Sequence, residues 1–298
     1  MPNSMTTSIS TYLTQLERLE RWDGEIPIYK FLNVTEGLEA NRYYFNQSEW
    51  LENYFQACHR DTSFIECWQT AISGSLYDKV VVDIGCGPGN VYAALKPSCG
   101  TPKTLIGVDI ALSALKMAQD IGYLPVLADA QNIPLMSGFA DLVIVNACLH
   151  HCDDMTAVLS EAARLVRPGG LLLTDHDPQY SAWRYQGLGL WLWNIRLPLY
   201  RLIKRGGHAS AEEQHWSILS EIHHRPHDGV TPELFYTTLE PMGFDVKLYR
   251  HNHTAGKSTL KGNPGRAMLK CRVAQLLSGI DPDLPESALS LMCIARKH

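Results

Sequence analysis

The sequence predicts an α/β fold built on a seven-stranded, mostly parallel sheet, and three observations carry that expectation. Between Lys79 and Asp177, five short apolar runs alternate with amphipathic stretches, the pattern of right-handed βαβ units. The first run, Val80–Ile84, empties into Gly85-Cys86-Gly87-Pro88-Gly89. Alternating glycines there let backbone N–H groups approach a ligand with no Cβ in the way. An acidic or amide residue then closes each following strand: Asp109, Asp129, Asn146 and Asp175.

Residues 1–75 read as an N-terminal helical cap, because Leu13, Leu16 and Leu19, and later Trp50, Leu51, Tyr54 and Phe55, recur at helical spacing. Gly24-Glu25-Ile26-Pro27 divides that cap in two. The main domain spans 76–298. Strand one, Val80–Ile84, leads into a helix through Leu95; strand two covers 104–108, and a helix follows over 113–121. Strands three and four cover 124–128 and 141–146. A helix over 155–166 places Val158, Leu159, Ala162 and Leu165 on one face, and Arg167-Pro168-Gly169-Gly170 stops it before strand five at 171–175. Thr231-Pro232-Glu233 starts the next helix, with Thr as cap and Pro at the first helical position, and Gly243 ends it. Strands six and seven follow at 244–249 and 289–295. Residues 178–230 read as a lid insertion, and 254–287, with a helical block over 267–277, as an insertion before the last strand.

Composition narrows the function classes. The 298 residues are 45% hydrophobic and 19% charged, ordinary for a globular enzyme. A net charge of -5 leaves no basic footprint for nucleic acid. Eight cysteines without a CxxC pair read as reduced thiols in a cytoplasmic protein. The N-terminus lacks a basic start followed by an apolar block, so no signal peptide is expected, and no apolar run is long enough for a membrane span.

The details of the glycine turn decide among nucleotides. A dinucleotide fingerprint needs a third glycine where Asn90 stands, and a phosphate loop needs Lys followed by Ser or Thr. The carboxylate of Asp83 repels a pyrophosphate and suits a ligand bearing an ammonium or sulfonium. Asp109, 20 residues beyond Gly89, stands where a carboxylate accepts both ribose hydroxyls, with a helix cap as its competing role. Asp129-Ala130 can meet an adenine amino group or serve as a surface turn. The run D-x-G-x-G-x-G, then P-L-M-S-G-F-A-D over 134–141, Asn146-Ala147-Cys148-Leu149-His150-His151, and R-L-V-R-P-G-G over 164–170 resembles the class I S-adenosylmethionine-dependent methyltransferases, in particular their quinone- and natural-product-type branch. An Ala between Phe139 and Asp141 departs from the family's spacing.

The resemblance implies a Rossmann-like sheet and S-adenosylmethionine as cofactor, with S-adenosylhomocysteine as product. It implies that Asp83, Gly85, Cys86, Gly87 and Gly89 lie near the methionine part, Asp109 and Ile110 at ribose, and Asp129 and Ala130 at adenine. Asn146 would face the sulfonium. Tyr44 is expected to cover the cofactor from the N-terminal side, where a tyrosine face attracts a sulfonium, or to pack within the cap.

For catalysis His176, His151 and His224 are the candidate bases or acceptor-lining groups, although alignment alone supplies much of the rate in such transfers. His224 lies in a His-rich stretch that equally reads as an exposed polar loop. The L-H-H motif is habitual in the family without metal, so no metal site is expected. The Trp- and Leu-rich stretch 183–205 leaves three readings open: a lid over an apolar acceptor, a membrane-surface helix, and plain core. The acceptor expected is a small or medium, apolar metabolite, lipid-like molecule or peptide, with no nucleic acid; peripheral membrane contact and oligomeric state stay open. The rival reading is a catalytically silent or non-methylating S-adenosylmethionine-binding protein of the same fold.

Overall fold

The computed structural model describes residues 8–47, 51–52, 54–56, 60–203 and 210–298. Trp50, Cys58, the start of the chain before Ser8, and the Lys204-Arg205 pair that flanks the aromatic stretch lie outside the described residues. The sheet contains nine strands: β1 (Leu19–Asp23), β2 (Ile26–Tyr29), β3 (Val80–Ile84), β4 (Thr104–Asp109), β5 (Leu124–Leu127), β6 (Ala140–Asn146), β7 (Val166–Asp175), β8 (Phe244–His251) and β9 (Ser290–Lys297). Their order is β1-β2-β5-β4-β3-β6-β7-β9-β8. Strands β3 to β7 pair in parallel, and β9 is antiparallel to both β7 and β8.

The seven expected strands are β3 to β9. The extra two correct the reading of residues 1–75 as wholly helical. Asp23, Gly24 at φ 60° and Glu25 turn the chain into a hairpin, and β2 docks in parallel beside β5 through Ile28 and Leu127. All four residues of β2, Ile-Pro-Ile-Tyr, are buried, so apolar burial at the sheet edge outweighs the helical spacing of the preceding leucines. Leu16, part of that spacing, is exposed. Pro27 is tolerated because β2 shares so short a ladder with β5. Helices do occur elsewhere among the described residues of the segment, at α1 (Glu36–Phe45) and α2 (Thr62–Ala71).

Helices α3 (Asn90–Cys99), α4 (Leu112–Asp120), α5 (Met155–Leu165) and α8 (Pro232–Leu239) flank the sheet; α6 (Gly187–Leu202) and α7 (Ala211–Ser220) lie within 178–230, and α9 (Leu269–Leu276) within 254–287. Strand pleating sorts the core into two layers. Val82 and Ile84 join Val158, Leu159 and Phe235 on one face of the sheet, and Val81 joins Trp68, Leu95 and Leu115 on the other. Thr231 caps α8 as its sequence requires, accepting from the Leu234 amide. The described cysteines are free, and no described helix is long and apolar enough to cross a membrane.

Helix α6 settles part of the Trp- and Leu-rich stretch. Trp183, Leu190 and Trp193 pack with Tyr185 and Cys271 of the insertions. Leu188, Trp191, Ile195, Leu199 and Leu202 form an exposed stripe at helical spacing, so plain core is excluded for that face.

Two asparagines tie the N-terminal segment to the rest of the chain. Asn41 Nδ2 donates to the carbonyls of His151 and Ser220, at 3.0 and 3.2 Å. Asn46 Oδ1 accepts from the Ser113 amide at 3.0 Å, serving as a distant cap for α4, whose own N-cap residue Ala111 offers no side-chain acceptor. Replacing Asn46 by Ala is expected to lower stability by about 0.5–2 kcal/mol, measured by urea denaturation; an unchanged midpoint would remove this tie from the account.

Candidate active site

Strand order reverses between β3 and β6, and a crevice opens at the carboxyl ends of the strands there. A cavity of about 880 Å³ occupies it, within the range of sites for cofactor-sized ligands. Its floor is the turn after β3. Gly85 has φ 66°, and a Cβ there would lie 2.4 Å from Cys148 Sγ. Gly87, at φ 53°, has open space where a Cβ would stand, so backbone is bare toward the cavity. The Gly87 amide donates to Asp109 Oδ2 at 2.8 Å, and the Ala111 amide to Oδ1 at 2.9 Å. Burial raises the Asp109 pKa, against the pull of these backbone bonds. Asp129 lines the same cavity, accepting from the Gln131 amide at 2.9 Å, and burial raises its pKa too. Asn146, at the end of β6, places a buried Oδ1 with no hydrogen-bond partner in the cavity lining.

The same cavity is lined by imidazoles in two groups. His176, at φ 62°, stacks on His253 with ring centroids 4.3 Å apart. Its Nδ1 lies 3.2 Å from Asp175 Oδ2. Burial works against its charge, but Asp175 outweighs it and raises the His176 pKa above the ordinary 6.5. Asp175 itself accepts from Trp68 Nε1 at 2.9 Å and pairs with His251 Nε2 at 2.6 Å. Burial would raise its pKa, yet the charges of His251 and His176 hold it well below the usual carboxylate range.

In the second group, His150 and His151 stack 4.1 Å apart, and His224 sits edge-on to His150 and to Trp183. Burial, with the neighbouring charge of His150, lowers the His151 pKa to about 4. His150 moves the other way, because its bond to Asp177 and the charge of Glu221 overcome burial. Tyr44 of α1 lines the cavity near Ser217 and Glu221, and burial pushes its phenol up to about 12.

Residues 82–174 match the family model described as a methyltransferase domain. The chain carries a methyltransferase domain. Its segment is 38% identical over 97 residues to the tRNA (carboxymethyluridine(34)-5-O)-methyltransferase of Arabidopsis thaliana, covering 32% of this chain and 23% of that protein. It is 34% identical over 96 residues to the malonyl-[acyl-carrier protein] O-methyltransferase of Yersinia pestis, covering 32% of this chain and 35% of that one. The chain thus spans about a quarter to a third of these two relatives. A solved structure of the plantazolicin methyltransferase BamL, with a triazolic desmethyl analogue and S-adenosylhomocysteine, superposes with a TM-score of 0.50 at 18% identity, covering 88% of this chain and 95% of that one. That likeness shows the fold over more of the chain than the matched segment.

Around the methyltransferase domain's cavity the structure gathers Gly85, Cys86, Gly87, Asp109, Ile110, Asp129, Ala130, Asn146 and Tyr44 with His151, His176 and His224. Two expected cofactor residues are absent from the lining. Gly89 begins α3 and packs against Ile121 and Tyr123. Asp83 points into the core, 1% exposed, where the Tyr123 hydroxyl donates to its Oδ2 at 2.7 Å. Its expected direct contact with a cationic ligand is therefore not what this geometry offers. Sequence reasoning missed Glu221, His251 and His253, and it marked Asp175 and Asp177 only by their place at the strand end around His176, without the imidazoles they hold.

Burial raises the Asp83 pKa to about 7. An acid whose folded pKa lies above its ordinary 3.8 holds its proton more tightly when folded. Its contribution is complete below that value and is lost as pH rises through 7. Asp83→Asn keeps the neutral form throughout, so urea denaturation should show the variant gaining on the wild type by up to about 1.4 kcal/mol per pH unit between pH 4 and 7. Parallel stability profiles would contradict the neutral, buried carboxyl.

Proposed function

We propose that this chain transfers the methyl group of S-adenosylmethionine to a small or medium, apolar acceptor: a secondary metabolite, a lipid-like molecule or a peptide. The observation that carries the reading is that one cavity holds two kinds of group. The bare glycine turn, Asp109, Asp129 and the unpartnered Asn146 side-chain oxygen line it together with five imidazoles. The first kind fits the cofactor by its own chemistry: open backbone over Gly87, two carboxylates for hydroxyl and amino donors, and an orphan acceptor at the strand end.

When bound, S-adenosylmethionine supplies a methyl carbon whose bond to sulfur breaks, the electron pair staying on sulfur, as the acceptor's nucleophilic atom bonds to that carbon. The protein's part is alignment and exclusion of water, in which α1, α7 and α9 take part by lining the cavity. His176 takes the acceptor's proton, steadied by Asp175. The net charge of -5 and the aromatic lining contributed by Trp183, Phe45 and Phe64 support an apolar acceptor over a polyanion. The match to a malonyl-[acyl-carrier protein] O-methyltransferase supports the same side, while the match to a tRNA methyltransferase favours a polyanion.

Asp109→Ala should weaken S-adenosylhomocysteine binding about 10- to 100-fold, as loss of charged hydrogen bonds implies, with the far-ultraviolet circular dichroism unchanged. Calorimetry checks it, and wild-type affinity in the variant would sink the ribose assignment. Turnover should rise with pH through a value above 6.5, because a base must be neutral and Asp175 raises its pKa. His176→Ala should remove that limb; a profile identical to wild type would show that positioning alone suffices.

A further inference from the structure

One cluster on the imidazole wall has a construction that methyl transfer by alignment does not require. A ring nitrogen of His150, one of His151 and a carboxylate oxygen of Glu221 lie within 4.8 Å of one another, and all three residues line the cavity. Each is held from behind. His150 Nδ1 lies 2.8 Å from Asp177 Oδ1, and a carboxylate only accepts, so Nδ1 carries the proton. His151 Nδ1 lies 2.8 Å from the Ser220 carbonyl oxygen, which also only accepts. Both rings therefore turn Nε2 toward the shared space. Glu221 Oε2 pairs with His224 Nδ1 at 2.8 Å, which fixes its carboxylate, and it stands 3.5 Å from His150 Nε2. With Nδ1 protonated in both rings, the lone pairs of two Nε2 atoms and a carboxylate converge.

Converging lone pairs repel unless a cation sits among them. Two imidazole nitrogens and one carboxylate are the donor set of zinc-type sites that keep a position open. Ligand imidazoles whose second N–H is held by a carboxylate or carbonyl, beside a hydrogen-bonded carboxylate ligand, are the outer arrangement such sites use. We propose that His150, His151 and Glu221 hold a divalent cation of the zinc class, open to the cavity, with Asp177, the Ser220 carbonyl and His224 orienting the three ligands. An acceptor hydroxyl bound at the open position would lose its proton more readily to the base, His176, and its oxygen would bond to the methyl carbon as that carbon's bond to sulfur breaks, the electron pair staying on sulfur. This role rests on the function proposed above; the binding of the cation does not. It departs from the metal-free expectation because Asp177 and Glu221 reach the L-H-H motif only through the fold.

The test is titration of the chelator-treated full chain with Co²⁺, followed by visible absorption, and then with competing Zn²⁺. One Co²⁺ per chain is expected, with the weak bands of a low-coordinate nitrogen and oxygen site, and Zn²⁺ should displace it. His151→Ala and Glu221→Gln should each abolish the bands, and Asp177→Asn should weaken affinity about 10- to 100-fold, with circular dichroism confirming each fold. Failure of the wild type to bind Co²⁺ would overturn the proposal, since a proton shared by His150 and Glu221 then suffices. Intense thiolate-to-cobalt absorption that survives in the variants would overturn it too, placing the ion on Cys148 and Cys152, whose sulfurs lie 4.0 Å apart. Cobalt binding without any S-adenosylhomocysteine binding in calorimetry would refute the methyl-transfer reading alone.

Discussion

The carboxylate of Asp175 is the group on which the imidazole side of the cavity depends. It lies 1% exposed at the end of β7, and a buried charge without partners is unfavourable by several kcal/mol. Four contacts meet that demand: Trp68 of α2, His251 of β8, and the backbone amide and ring of its neighbour His176. One buried charge thereby joins the N-terminal cap, the antiparallel end of the sheet and a candidate base. It also accounts for the left-handed backbone of His176, since the Asp175–His176 amide contact at 2.7 Å holds the turn in place.

Asp177 repeats the device two residues later for the other imidazole group, accepting from both the amide and the ring of His150. Neither carboxylate lines the cavity, while His176 between them does. Acids behind and imidazoles in front give a wall that can take up a proton or, at His150 and His151, offer lone pairs. The part of the lining around the glycine turn is built on the opposite plan. There the acids Asp109 and Asp129 themselves face the cavity, and backbone amides steady them. A donor bearing hydroxyl and amino groups suits that part, and an acceptor that must lose a proton suits the imidazoles.

Much of this was legible locally. The parallel strands, their acidic ends and the Thr231-Pro232 helix start follow from short-range periodicity and capping chemistry, which a sequence displays directly. The hairpin of β1 and β2 had its signal too, in Asp23-Gly24, but the leucine spacing before it pointed to helix, and only burial of Ile26 and Ile28 against the sheet decides between them. Asp83 shows a different limit. Its place at a strand end is local, yet the face it takes depends on Tyr123, 40 residues away. Glu221 and His251 were invisible for the same reason: each acquires meaning from a partner supplied by another element.

The most direct test of the account is a crystal structure of the chain with S-adenosylhomocysteine. The account predicts the nucleoside against the glycine turn, its ribose on Asp109, its base toward Asp129 and its sulfur between Asn146 and the imidazole wall. Clear density for the ligand elsewhere, or lying along the imidazole wall with Asp109 untouched, would contradict it.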